Sequence, residues 1–461
     1  GCLCVLFSVG LWLFLASKLE MPVSTTHSCV GGMIGMTMAI GGGSCVNWYE
    51  PKDSFPFVGG VSGIVLSWFI SPIFSAIVSM VIYGITRAAV LRRENSFEKS
   101  FWTFPIFVGL TVTLNTFFII YKGAKGLGLH NTKLWVSLVI AFGSGLFIAL
   151  VMIPLLPVIK KCILKGIETR KRKKEIELSN KKTDDIEYNK VSKSEIDNMK
   201  NSNSKSDLVS MEMDAETEDS EHSAASKNAE RRRRIKNKCV KCLDKSINYK
   251  VEYDMNKGDR VQEIHSNAEK FDSKTEESFK VLQIFTAVCD SFSHGANDVA
   301  NSIGPFAAIY TIWTNGYIAE DSDMDSDAYW ILALGGVGIM FGLLVYGYKI
   351  IRAIGVKLCT ITPSRGFSIE LSSATIIIIG SRLGIPLSTT HCQVGATMGV
   401  AALEDAKKCS GMNCEVVLKT IFGWIATLVI VGGTTALLVG FTTYSPSVYD
   451  FYPTASDAVS N

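Results

Sequence analysis

The chain has 461 residues, 48% of them hydrophobic, and a mean hydropathy of +0.25. That is too apolar for an ordinary soluble protein of this size. The formal charge of +3 points to no nucleic-acid partner, because it averages two unlike regions. More than half of the 46 basic and 43 acidic side chains fall between Lys160 and Glu277. What remains on either side is strongly apolar, the pattern of a membrane protein interrupted by one polar insertion.

The sequence opens inside an apolar run, Cys2–Ala16, with no signal-peptide pattern ahead of it, and reads as a membrane helix entered partway. Pro22-Val23-Ser24-Thr25-Thr26-His27 follows, then a Gly-rich apolar segment to Gly43. Proline and hydroxyl residues ahead of a helical pattern mark a helix start. Inside a membrane such a start turns unpaired N–H groups and Ser/Thr hydroxyls toward a cavity, a ready anion site. Simple capping by Ser24 or Thr25 is the plainer reading.

Further apolar segments are Phe55–Leu91, with a break expected at Pro72, then Phe101–Tyr121 and Leu134–Ile159. The polar insertion, residues 160–278, is rich in Lys, Asn, Ser, Asp and Glu and is expected to be largely disordered. It contains Arg170–Lys174 and Arg231–Arg234, which place it in the cytosol. Basic clusters beside a membrane helix also suit anionic lipid. Its Cys239–Cys242 pair has no second pair at zinc spacing.

The second half, residues 279–461, begins with an apolar run, Val281–Trp313, that is interrupted by Asp290, His294, Asn297, Asp298 and Asn301 and expected to end at Pro305. A charge at bilayer depth costs about 2.5–3.5 kcal/mol even on a lenient scale, so these groups face a cavity or another helix. After Tyr329–Ile351 comes Phe367–Leu383, which carries Glu370. That acid needs either a cavity or a partner such as Arg365. Pro386-Leu387-Ser388-Thr389-Thr390-His391 then repeats Pro22–His27, and Trp424, in Val416–Phe441, matches Trp68. Cys409 and Cys414 flank a short loop and are expected to be reduced if it is cytosolic.

Counting spans outward from a cytosolic insertion puts the Arg92/Arg93 loop and Arg352/Lys357 inside, and the loops around Asn47–Ser54 and Glu320–Asp327 outside. Lys122 and Lys125 are mild exceptions. On this count the segment at Pro22 opens outward and its copy at Pro386 opens to the cytosol. The expected fold is therefore an all-α membrane protein, an inverted-repeat secondary transporter with re-entrant helical hairpins and a large cytosolic loop, its halves being 1–159 and 279–461. His27 and His391 could carry protons, although a structural role is the simpler reading. No P-loop, nucleophile elbow or metal-hydrolase motif occurs, and no enzyme is expected.

His294-Gly295-Ala296-Asn297-Asp298-Val299-Ala300-Asn301-Ser302-Ile303-Gly304-Pro305, Thr362-Pro363-Ser364-Arg365-Gly366-Phe367-Ser368-Ile369-Glu370-Leu371 and the two Ser-Thr-Thr-His segments resemble the inorganic phosphate transporter (PiT) family. The resemblance implies a homodimeric symporter of the plasma membrane that imports inorganic phosphate, with sodium as the co-transported ion and no cofactor. It also implies that Ser24, Thr25, Thr26, Ser388, Thr389, Thr390, Asn297 and Asn301 contact phosphate. Asp298, with Asn297 and Asn301, would hold the cation, and Glu370 would be an acid needed for transport. In that family a first Gly-Ala-Asn-Asp motif precedes the first Ser-Thr-Thr-His; it is absent here, which implies either a fragment lacking its N-terminal helices or a shortened protein. Proton coupling, or a receptor that binds phosphate without moving it, are the alternatives.

Overall fold

The computed structural model describes residues 1–53, 57–121, 129, 132–201, 259–316, 328–404 and 411–445. By internal contacts the chain forms two units, Gly1–Leu155 with Leu243–Asn461, and Leu156–Cys242. The described part of the second unit is helix. The polar pocket lies in the first.

The helices are α1 (Cys2–Lys18), α2 (Thr25–Gly41), α3 (Gly60–Thr86), α4 (Ser96–Ile120), α5 (Leu134–Asn201), α6 (Asp259–Asn267), α7 (Ser273–Asn315), α8 (Tyr329–Arg352), α9 (Pro363–Arg382), α10 (Thr389–Glu404) and α11 (Cys414–Tyr444). A two-residue strand pair, Glu50–Pro51 with Val58–Gly59, is the β structure among the described residues. Among the described residues, five helical stretches are long and apolar enough to cross a membrane: Gly60–Leu91, Ser96–Ile120, Leu134–Arg172, Tyr329–Leu358 and Cys414–Tyr444.

These helices are arranged as lipid demands. Along α3, Ser67, Ser71, Ser75 and Ser79 recur every fourth residue and are buried, while Phe69, Ile73, Phe74, Ile77, Val81 and Ile85 are exposed. A water-soluble helix would show the reverse. Against hydrocarbon the small polar face turns inward, where backbones approach closely and hydroxyls find carbonyls. Ser75 and Ser79 donate to the α10 carbonyls of Cys392 and Ala396 at 2.7 and 2.8 Å.

The two repeats, α1–α3 and α9–α11, interlock. α2 packs along α11, and α10 packs along α3. Gly31 and Gly35 meet the backbone at Leu428 and Gly432, and Gly395 and Gly399 meet it at Pro72 and Ala76. Each repeat thus embraces the other's short helix through equivalent glycines, where a side chain would overlap backbone. At the starts of the short helices, Ser388 donates to Ser24 at 2.8 Å. From there they run apart. α2 ends beside the loop that leads into α3, and α10 ends at Glu404, which accepts from Tyr83 near the far end of α3. Ser67, in the first third of α3, donates to the Pro386 carbonyl at 2.8 Å, so the helix starts meet against the interior of α3 rather than at either end.

Several sequence expectations need correction. Pro72 does not break α3, because tight packing of Gly395 against its backbone holds the turn helical without the one bond proline cannot make. Nor does Pro305 end α7, which continues to Asn315 and stops at Gly316, φ 73°. The buried cluster of Ile303, Ala328 and Ile331 fixes the turn around that proline. Of the insertion, residues 160–201 continue α5 and Asp259–Asn267 form α6. Residues 202–258, including Arg231–Arg234 and Cys239–Cys242, lie outside the described residues, as do Lys122, Lys125, Cys409 and the Glu320–Asp327 loop.

Candidate functional site

Each short helix begins in the same way. Ser24 accepts from the His27 N–H at 3.2 Å and Ser388 from the His391 N–H at 3.3 Å, so both serines cap their helices. Both are buried, and their hydroxyls are used on each other and on these caps. The plainer reading of the serines, as caps, is therefore what the structure displays. The donors left over are the first-turn N–H groups, which a helix cannot pair internally; the hydroxyls of Thr25, Thr26, Thr389 and Thr390 stand beside them, those of Thr389 and Thr390 already donating within the protein. Two helix starts converging head to head superpose their partial positive charges at one point.

α7 lies across both starts. Asp298 Oδ2 accepts from Thr389 Oγ1 at 2.7 Å, on the second repeat. Asn301 Nδ2 donates to Thr25 Oγ1 at 3.1 Å and Thr26 Oγ1 at 3.2 Å, on the first. Asn297 and Asn301 both donate to Asp298 Oδ1, at 3.2 and 3.4 Å. Asn297 Oδ1 in turn accepts from Ser381 at 3.3 Å. Asp298 is thus a single carboxylate surrounded by neutral amide and hydroxyl groups, with both amides presenting their N–H groups to it. Among the described residues no three His, Cys, Asp or Glu converge as they would around a tightly held transition metal.

Thr25, Thr389 and Thr390 open onto a cavity of about 690 Å³ that Asp290, His294, Glu370 and Gln393 also line. Thr390 additionally donates to the Val23 carbonyl at 3.3 Å. Glu370 accepts from Thr286 at 2.9 Å and from Gln283 at 3.4 Å. It does not pair with Arg365. That guanidinium is 1% exposed and bonds Glu404 at 2.8 Å, leaving the acid on the cavity side. Asp290 lies 3.3 Å from His294, and Ser373 lies 3.4 Å from the same ring.

The two histidines stand behind the helix starts. Their ring centroids are 4.5 Å apart, with Trp68 at 4.6 Å from His27 and Trp424 stacked at 3.5 Å on His391. The matched Trp68 and Trp424 thus flank a matched histidine pair. His391 Nδ1 contacts Ser388 Oγ at 2.8 Å, which orients one cap.

All ten site residues expected from sequence gather here: nine around the helix starts, and Glu370 across the cavity. The supporting partners Gln283, Thr286, Ser381 and Glu404 had no sequence motif to announce them. The four-residue serine spacing of α3, by contrast, was readable.

The fold and site define an inverted-repeat membrane transporter whose two half-buried helix starts share one polar pocket. The model of the phosphate transporter family matches residues 1–435, and the chain belongs to that family, one of transport proteins rather than enzymes. It is an integral membrane protein. It is 28% identical to the phosphate-repressible phosphate permease pho-4 of Neurospora crassa, covering 97% of this chain and 84% of that one. Against the human sodium-dependent phosphate transporter 1 it is 26% identical over 96% of this chain and 84% of the relative. A solved structure titled the sodium-dependent phosphate transporter superposes with TM-score 0.61 at 25% identity, covering 96% of this chain and 78% of that one.

Proposed function

We propose that this chain imports inorganic phosphate together with sodium by alternating access. The observation that carries the reading is the bridge made by α7, with Asp298 on Thr389 of one helix start and Asn301 on Thr25 and Thr26 of the other. Phosphate takes its hydrogen bonds from the two helix starts, through Thr25, Thr26, Thr389 and Thr390 and through Ser24 and Ser388 when their mutual bond opens. Asn297 and Asn301 complete the cradle. Sodium sits against Asp298, with Asn297 and Asn301 as further oxygen ligands. A cation between a carboxylate and a bound anion makes each bind better with the other present, which is coupling. Glu370 faces the same cavity and senses its charge.

The sodium-dependent names of the mammalian relatives support the choice of ion. Like-sided basic groups at Arg87, Arg92 and Arg365 support a cytosolic face at the end of α3. A plasma-membrane homodimer with a cytosolic insertion completes the proposal.

Radiolabelled phosphate uptake into liposomes tests it. Sodium replaced by choline at fixed pH is expected to stop uptake. Uptake that instead follows a proton gradient assigns the coupling to protons, and phosphate binding without flux makes the chain a receptor.

A further inference from the structure

Glu20 lies in the turn between α1 and α2 at φ 59°, the left-handed region that residues with a Cβ avoid. Its counterpart in the second repeat, in the turn between α9 and α10, is Gly384 at φ 70°, where glycine meets no such penalty. Strain of this kind persists where surrounding contacts over-determine it, and it gathers at moving parts. Here the contacts are ionic. Glu20 Oε2 lies 2.6 Å from Lys357 Nζ and Oε1 lies 3.3 Å from Arg352 Nη1, both at the end of α8 and the π-helical turn Ala353–Leu358 that follows it.

The residues flanking this contact on both sides line the site cavity: Ser17, Met21 and Pro22 on the hairpin, Ile350, Ile351 and Ile354 on α8 and its π turn. The pair therefore sits where the hairpin tip meets the cavity wall. Its three side chains are 23–36% exposed, so water reaches them and the contact can open without stranding a buried charge. The second tip is held differently, by Arg382 stacked on the Phe118 ring at 4.3 Å.

We propose that Glu20, Lys357 and Arg352 form a latch that closes the cavity at the tip of the first hairpin and opens when that tip parts from α8 during transport. The latch rests on the transport reading above. It explains why a glutamate occupies a turn position where the matching repeat has glycine: the carboxylate, not the backbone, is what the position requires.

The test uses the full chain in proteoliposomes with a cysteine introduced by Ser17→Cys. The rate of its modification by a water-soluble thiol reagent is read by mass spectrometry of the peptide. Glu20→Asn removes the charge but keeps a residue that tolerates left-handed backbone, and Lys357→Met breaks the pair without touching the turn. Each is expected to speed modification about fivefold, the effect of an ion pair at the upper end of the partly exposed range. Glu20→Lys combined with Lys357→Glu is expected to restore the slow rate. Unchanged rates in both single variants overturn the latch. Phosphate uptake by the parent is measured in the same vesicles. Uptake with unchanged labelling sinks the latch alone, whereas absence of uptake by the parent sinks the transport reading.

Discussion

At the scale of single residues, the site is built from short polar contacts that a charge makes strong. Thr389 donates to the Asp298 carboxylate, and a hydrogen bond to a charged group contributes about 1.5–3 kcal/mol. Thr389→Val keeps the shape and removes the donor. It is expected to raise the phosphate concentration for half-maximal uptake by about tenfold or more, measured with radiolabelled phosphate at saturating sodium. Glu269 offers a pH test away from the site, since it lies in the link between α6 and α7. Hydrogen bonding from Arg92 and then Arg87 holds its carboxyl below the usual value despite partial burial. A depressed carboxylate pKa adds stability above the unfolded value of 4.5, and that stability is lost as pH falls through the folded value. In detergent, Glu269→Gln is therefore expected to melt below the parent at pH 7, and the gap is expected to close at more acidic pH than the unfolded carboxyl titrates.

At the scale of elements, the crossings of α2 with α11 and of α10 with α3 depend on glycine. A Cβ at Gly35 would overlap the Gly432 carbonyl, and one at Gly399 would overlap Ala76. Gly399→Val is expected to cost about 1–3 kcal/mol by overpacking, seen as a lower melting temperature and a smaller monodisperse fraction in size exclusion. Gly10→Ala, on α1 with no atom within 4 Å of the added carbon, is the control and is expected to be neutral or slightly stabilising. Proline behaved differently from its reading in sequence for the same reason. At Pro72 and Pro305 the neighbouring helices, rather than the local chain, decide whether the helix goes on.

At the scale of the whole molecule, the alternating access proposed above requires the two repeats to move against each other about the point where their helix starts meet. The hydroxyl oxygens of Ser24 and Ser388 lie 2.8 Å apart there, which makes the two positions candidates for a disulfide once both are cysteine. Ser24→Cys with Ser388→Cys is expected to form that bond under oxidation and to abolish uptake, with partial recovery on reduction. Uptake that persists in fully crosslinked protein, quantified by mass spectrometry, would show that the two starts need not separate. The buried Arg365–Glu404 pair locks the far end of the same assembly. There Tyr83 donates to Glu404 at 2.6 Å, Arg365 donates to the Glu269 carbonyl at 2.8 Å, and Arg87 to the Leu403 carbonyl at 2.7 Å.

Much of this was present in the chain as written. Doubling of Ser-Thr-Thr-His, polar groups inside an apolar run, and the placement of Lys and Arg are local signals, and each states a constraint that lipid imposes on any fold. They were enough to point to the inverted repeat and to a polar cavity at the two helix starts, while the roles of the ten candidate residues came from the resemblance to the family. Which acid meets which base was another matter: Arg365 lies five residues before Glu370 yet pairs with Glu404, and Glu20 reaches Lys357. Those partners are far apart along the chain and have no periodicity to reveal them. Their choice follows from the interlocking of the two repeats, a property of packed helices that no single segment contains.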